Sequence, residues 1–461
     1  MKQKRRLSGF LAALIAAGLL AGCTEGADSP SDAAENMSEV SLKQDSSQET
    51  AEESPAQDPA ESAADTSENL IGDLPEEYSP LNMEYVRKLE ALGFPSSPLG
   101  TFLDMSWVDM TRNEYETDAR SQDLTDEILT DEDYDKLAFD TLTVFPETLP
   151  ENFQPEQVLE DGKNPGLGLR ALHEAGYTGK GVNVGIVDQQ LTGHREYAGR
   201  VRYYADLDEY APGMTVVSSM HGPAVTSLLG GTTTGVAPEV NIYYVSYNQA
   251  GAANNNFEPY VEAINQLLDL NEVLPEEDKM CVISVSRGGF SIYDNANYQR
   301  LKQRAAEQGV YLLVVDAYEQ YFQYSGRDLS DDPDAASSYH PAVRMLGKTA
   351  TLDSVYLPVD RRSFASPVGP EEYTYYTVGG ASWAVPYAAG LFALARQVDA
   401  DVRFEDFAKI AAETAAEVTV NFEGTVIQSH IKTKPIARES DEITIKVANP
   451  AEILRALGAA L

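Results

Sequence analysis

The chain is poor in cysteine, histidine and positive charge. Its 461 residues hold two cysteines and five histidines, and 34 Lys and Arg face 73 Asp and Glu for a formal net charge of −39. So acidic a surface repels phosphate backbones and argues against nucleic acid as a partner. Two cysteines, Cys23 and Cys281, allow one disulfide at most. From Thr24 to Gly72 there is no aromatic residue and a single base, Lys43, among recurring acids, serines and alanines. Such a stretch cannot bury a core and reads as a disordered, self-repelling tether. No internal repeat stands out. The leader's apolar run, Phe10 to Leu20, is shorter than the roughly 20 residues a helix needs to cross a bilayer.

That run follows a basic head (Lys2, Lys4, Arg5, Arg6), so it reads as a secretory signal and not as a span. It ends in Leu20-Ala21-Gly22-Cys23, which resembles the lipobox of bacterial lipoproteins. The resemblance implies that Cys23 is diacylated as the mature N-terminus, on the extracellular face of the cytoplasmic membrane, anchored by lipid and not spanning. With Cys23 so used, Cys281 has no disulfide partner, and its run Met280-Cys281-Val282-Ile283 marks it as core. The expected organisation is a signal peptide over 1–22, a lipid-anchored acidic linker over 23–77, an N-terminal extension or pro-region over 78–160, and the main domain over 161–461. Within 78–160, Met83 to Leu92 has helical spacing, whereas Leu124 to Phe145 is ambiguous. Cleavage after this segment would release the protein from its N-terminal lipid.

Beyond Gly166 the pattern alternates. Apolar, β-branched runs predict strands at Val182–Val187, Asn241–Val245, Cys281–Val285 and Val310–Val315. Helical patterns fall between them at Pro223–Leu229, Tyr260–Leu270 and Asn297–Glu307, the last stopped by Gly309. The expected fold class is α/β, a mainly parallel central sheet flanked by helices, whose functional groups gather at the carboxyl ends of strands. Val418–Val447 reads as strand-rich and Pro450–Leu457 as a closing helix.

Three islands carry the chemistry. Asp188 ends Val184-Gly185-Ile186-Val187-Asp188, where its carboxylate leaves the sheet and is placed to orient an imidazole. His221, of the few histidines (His173, His194, His340 and His430 are the others), opens a helix pattern with Gly222 and Pro223. Glycine there permits close approach of another backbone, and proline suits a first turn. Ser382 heads the helix pattern after Gly379-Gly380-Ala381. A hydroxyl is a weak nucleophile without a base beside it, and a helix N-terminus aims backbone N–H groups at a developing oxyanion.

The order Asp, His, Ser and the string Gly-x-Ser-x-Ala-x-Pro-x-x-Ala-Gly from Gly380 to Gly390 resemble the subtilisin-like serine peptidases. The likeness extends over roughly Gly166 to Arg396. It implies Asp188, His221 and Ser382 as a catalytic triad, a structural His194, and Ser286-Arg287-Gly288-Gly289 as the edge on which substrate backbone adds as a strand. Four positions depart from the family: Gln189-Gln190 after the acid, Pro223 after His221-Gly222, Ala381 before the serine, and no oxyanion-binding Asn after the fourth strand. In Val314-Val315-Asp316-Ala317-Tyr318 the simple alignment offers Tyr318, with Asp316 nearby, as oxyanion candidates. Loss of one such donor lowers kcat on the order of a hundred- to a thousand-fold. No cofactor is implied. The loop Asp328 to Asp334 has calcium-type oxygen ligands but not EF-hand spacing. The expectation is a membrane-anchored extracellular serine endopeptidase acting on peptides or proteins; the alternative is an impaired lipoprotein of the same fold that binds peptides or proteins.

Overall fold

The computed structural model describes residues 68–105, 109–208, 219–247, 256–342, 344, 349–422, 424–429, 432–437 and 441–461. The leader, Cys23, most of the acidic tether and His430 lie outside the described residues. Residues Asn69–Leu461 form one compact unit. Packing begins upstream of Tyr78: Leu70 is buried, and its carbonyl accepts from Leu99 N at 2.9 Å.

Three short strands come first in the chain: β1 (Thr111–Arg112), β2 (Thr117–Asp118) and β3 (Leu137–Asp140). The central sheet follows, with β4 (Asn183–Asp188), β5 (Val201–Asp206), β6 (Asn241–Ser246), β7 (Val282–Val285) and β8 (Tyr311–Val314). All five run parallel in the order β5-β6-β4-β7-β8. Every residue of β4 and β7 is buried, as expected of strands covered by helices on both faces. Because β6 and β7 flank β4 on opposite sides, the crossovers diverge at β4, the switch point where such sheets place their sites.

Four helices matter most: α1 (His221–Gly230), α2 (Glu258–Val273), α3 (Asn295–Glu307) and α4 (Ala381–Val398). Helix α4 is buried from Trp383 to Ala395, since small and apolar residues occupy its whole circumference. It packs on α1 and β7. Gly390 makes the approach to α1 close: a Cβ there would lie 2.7 Å from Val236 Cβ and 3.2 Å from Leu229 O.

The remaining strands build three further sheets. They are β9 (Phe322–Gly326), β10 (His340–Pro341), β11 (Thr349–Thr351), β12 (Val355–Pro358), β13 (Arg362–Ala365), β14 (Tyr373–Tyr376), β15 (Ala416–Phe422), β16 (Thr425–Ser429), β17 (Lys432–Ala437) and β18 (Asp441–Val447). The orders are β10-β9-β12-β18-β15, β11-β16-β17 and β1-β2-β3-β14-β13. The last joins the N-terminal segment to the strand that leads to Ser382. Tyr375 pairs with Phe139 and Thr374 with Asp140, and Phe139 packs against Phe145, Phe153 and Tyr375. Residues 124–145, ambiguous by pattern, hold the helix Asp131–Asp135 and β3. The fourth predicted strand stops short: Val315 begins a helical turn, Val315–Tyr318.

Candidate active site

Asp188 ends β4 and is 2% exposed. Its Oδ1 accepts from Gln189 N at 2.8 Å and lies 2.6 Å from His221 Nδ1. A carboxylate only accepts, so Nδ1 carries the proton and Nε2 is left with a lone pair, the form a general base needs. Only glycine at position 222 allows this contact. A Cβ on Gly222 would sit 2.5 Å from Gln189 O and 2.7 Å from Gln190 O, so α1 rests directly on the loop that follows Asp188. His221 itself begins α1, with Gly222 N donating to Ser219 Oγ at 3.2 Å.

Ser382 lies in the first turn of α4, half-buried. The next residue, Trp383, brings its ring to 5.6 Å from the His221 ring, centroid to centroid. The N–H of Trp383 and of Ala384 both go to Gly380 O, at 3.0 and 3.2 Å. Ser382 N has no intrahelical acceptor, being one of the donors a helix start leaves unpaired, and so remains available to an anion. Pro386 shapes the same turn from the other end. It lacks the N–H that would bond to Ser382 O, and Ser286 Oγ donates to that carbonyl instead at 3.0 Å. The helix of the hydroxyl is thereby tied to the end of β7. Among the described residues the Ser382 hydroxyl makes no hydrogen bond; such bonds are often long in unliganded sites and close with substrate.

Two oxyanion expectations fail on geometry. Tyr318 is fully buried, and its hydroxyl donates to Gln323 O at 2.8 Å, because the turn Val315–Tyr318 directs it into the core. Asp316 acts as an acceptor. Its Oδ2 takes Gly289 N at 2.8 Å, and its Oδ1 takes Ser291 N at 3.1 Å and the Ser291 hydroxyl. Neither side chain offers a free donor. The buried Trp383 Nε1, which sequence reading passed over, has no partner among the described residues.

The substrate-edge expectation is altered as well. Arg287 N donates to Val285 O at 2.7 Å, and Arg287 O accepts from Val315 N at 3.1 Å. Gly289 N is taken by Asp316, and Gly289 O accepts from Ile292 N and Tyr293 N. Gly288 keeps both backbone groups out of these bonds, and a Cβ on it would meet Val315 Cβ at 3.2 Å. The Arg287 guanidinium lies over the rings of Phe257 and Tyr260, at 5.3 and 5.8 Å.

Other residues singled out by sequence lie apart from this cluster. His194 is buried, with Nε2 2.8 Å from Glu372 O and Nδ1 accepting from Glu196 N at 3.1 Å; burial pushes it down to about 4. Cys281 packs in the core, where burial raises its thiol to about 12. In the acidic loop, Asp334 accepts from Asn164 Nδ2 and Gly168 N, both at 3.0 Å.

Two curated proteins are similar to this chain in sequence. Minor extracellular protease Epr of Bacillus subtilis (strain 168) is 27% identical over 246 residues, which are 50% of this chain and 34% of that protein. Serine protease AprX of the same organism is 25% identical over 268 residues, 49% of this chain and 59% of that protein. This chain thus spans less than two thirds of either relative's length. Among solved structures, a cold-adapted subtilisin-like serine proteinase is 19% identical with a TM-score of 0.34, covering 52% of this chain and 83% of its own. The prenylagaramide maturation protease PagA is 17% identical with a TM-score of 0.41, covering 63% and 99%. No protein-family profile matches. Over about half its length the chain is thus similar in sequence to these curated proteases.

Proposed function

We propose that this protein is a serine endopeptidase held by an N-terminal lipid at the extracellular face of the membrane, acting on peptides or proteins. The observation that carries the reading is the 2.6 Å contact of buried Asp188 with His221, whose ring lies beside the residue following Ser382. Ser382 Oγ attacks the scissile carbonyl as His221 Nε2 takes its proton. The imidazolium so formed is stabilised by Asp188 and returns the proton to the departing amine. Ser382 N–H faces the oxyanion at a helix N-terminus. With no Asn in the family's second-donor position, turnover is expected to be slow, by the hundred- to thousand-fold order that one lost donor commands. For the membrane attachment the support is the leader and Cys23; among the described residues no helix is long and apolar enough to cross a membrane.

A second reading, an impaired peptide-binding module, is favoured by one observation: the backbone groups of Arg287 and Gly289 are already bonded within the chain. A fluorophosphonate probe separates the two. The peptidase labels at Ser382 and loses label in Ser382→Ala, and Asp188→Asn labels on the order of 10⁴-fold more slowly, the size of that change in an unrelated serine protease. A folded protein that shows no Ser382-dependent label refutes the enzyme.

A further inference from the structure

The turn before β13 contains an unusual conformation close to the nucleophile. Arg361 is a non-glycine residue in the left-handed region, at φ 55°. Branched or long L side chains avoid that region, and such strain persists only where surrounding contacts overdetermine it. Here they do. Arg361 N donates to Thr377 O at 2.9 Å, its Nε to Arg327 O at 2.8 Å, and its terminal guanidinium nitrogen to Asp135 Oδ1 at 3.0 Å. The clamp fixes the two preceding residues against the loop that leads to Ser382. Asp360 Oδ1 accepts from Gly379 N at 2.7 Å. Val359 O presses on the same glycine so closely that a Cβ there would lie 1.9 Å from it. Gly326 gives the carboxylate room on its other side, since a Cβ on Gly326 would fall 2.2 Å from Asp360 Oδ2.

We propose that Asp360 is a positioning residue for the nucleophile: by holding the N–H of Gly379 it sets the path of Gly379-Gly380-Ala381 and so the place from which the Ser382 hydroxyl enters the site. Asp360 touches no reacting atom and acts only through the loop. This role rests on the peptidase reading above. The bond is charge-assisted when Asp360 is ionised and weaker when it is neutral. Although the residue keeps some solvent contact, its low-dielectric surroundings push the carboxyl up to about 6, against the Gly379 N–H and the side chains that face it, His340 on β10, Arg361 beside it and Arg344. Arg344 in turn lies 4.0 Å from the Glu116 carboxylate. The hold on the loop therefore tightens as pH rises through about 6 and loosens below it.

The test is the rate of Ser382 labelling by a fluorophosphonate on the full chain, for wild type, Asp360→Ala and Asp360→Asn, across pH 5 to 8, with thermal unfolding of each protein alongside. Asp360→Ala is expected to label on the order of 10- to 100-fold more slowly at pH 7.5, the scale of a displaced reacting group. Asp360→Asn keeps an oxygen that accepts from Gly379 N and should recover to within a few-fold. Taking the ratio of Asp360→Asn to wild type cancels every titration the two share. That ratio should climb as pH falls through 6, because only wild type loses a charge there. Equal labelling by Asp360→Ala and wild type, or a flat ratio across pH, overturns the proposal while leaving the peptidase intact. If Asp360→Ala does not fold, the asparagine variant's pH ratio decides alone. No Ser382-dependent label in wild type overturns the peptidase reading and this role together.

Discussion

Replacing Phe139 by alanine should unsettle the half of the chain that carries Ser382, although the residue lies in the N-terminal segment. Phe139 is 2% exposed, and its ring meets Phe145, Phe153 and Tyr375 at centroid separations of 5.3, 5.9 and 5.3 Å. Truncation of a ring so enclosed removes its burial and leaves a cavity, a loss of about 3–5 kcal/mol. Against the roughly 5–15 kcal/mol of a whole domain, that is a large fraction. The loss should travel because β3 is bonded to β14 through Tyr375, and Thr377 Oγ1 donates to Leu137 O at 2.9 Å, two residues before the glycine pair that leads to Ser382. Trp383 is the natural reporter, as it is 7% exposed and packed beside His221. In a Trp107→Phe background, denaturation followed by Trp383 fluorescence and by far-UV circular dichroism should give one coincident transition. Phe139→Ala should lower the free energy of that transition by the amount above. If the Trp383 transition stays in place while a separate one moves, residues 109–163 fold as an independent unit and the reasoning fails. The same coupling bears on maturation: loss of residues 78–160 would strip β1, β2 and β3 from the edge of β14 and uncover Tyr373 and Tyr375, so we expect the segment to be retained with the site.

Glu116 gives a prediction with pH. Burial, with Asp118 adding to it, raises its carboxyl from 4.5 to about 7, against the pull of Arg344 and Arg120. The folded state thus prefers the neutral acid. Its contribution is fully present below the unfolded value near 4.5 and is lost as pH climbs through 7, an effect of at most about 3 kcal/mol. Glu116→Gln should therefore raise the denaturation midpoint at pH 8 more than at pH 4.5; an equal change at both pH values counts against a buried, uncompensated charge. The lipid anchor is checked by fractionation: wild type should sediment with membranes and Cys23→Ser should appear in the soluble fraction, and unchanged partitioning would remove the anchor from the proposal.

How much of this was legible in the sequence depends on whether the determining contacts are local. Strands β4, β6, β7 and β8 announce themselves because each is a run of β-branched and apolar residues buried on both faces. The run Val201-Arg202-Tyr203-Tyr204-Ala205-Asp206 escaped notice as β5, an edge strand whose Arg202 donates to Asn183 and Asp278 from elsewhere in the chain. The positions of Asp188, His221 and Ser382 were readable because each string carries its own element: a strand end, a glycine that lets α1 touch Gln189 O, a helix start with Pro386 downstream. The oxyanion region was not readable in that way. Alignment places Tyr318 opposite the family's Asn by counting residues, but where a side chain points depends on the backbone, and the turn Val315–Tyr318 sends this one inward to Gln323. Asp316 is occupied by Gly289 and Ser291, more than twenty residues earlier in the chain. The tie between Asp360 and Gly379 is of the same kind, since nothing within either local run names the other. Local strings therefore carry the residues proposed to attack and to take the proton, whereas the surroundings of the proposed oxyanion and the tie on the loop before Ser382 are set by contacts between segments distant in sequence. A sequence reader can recover such contacts only by asking what a lone Asp after the apolar run Tyr356-Leu357-Pro358-Val359 is there to hold.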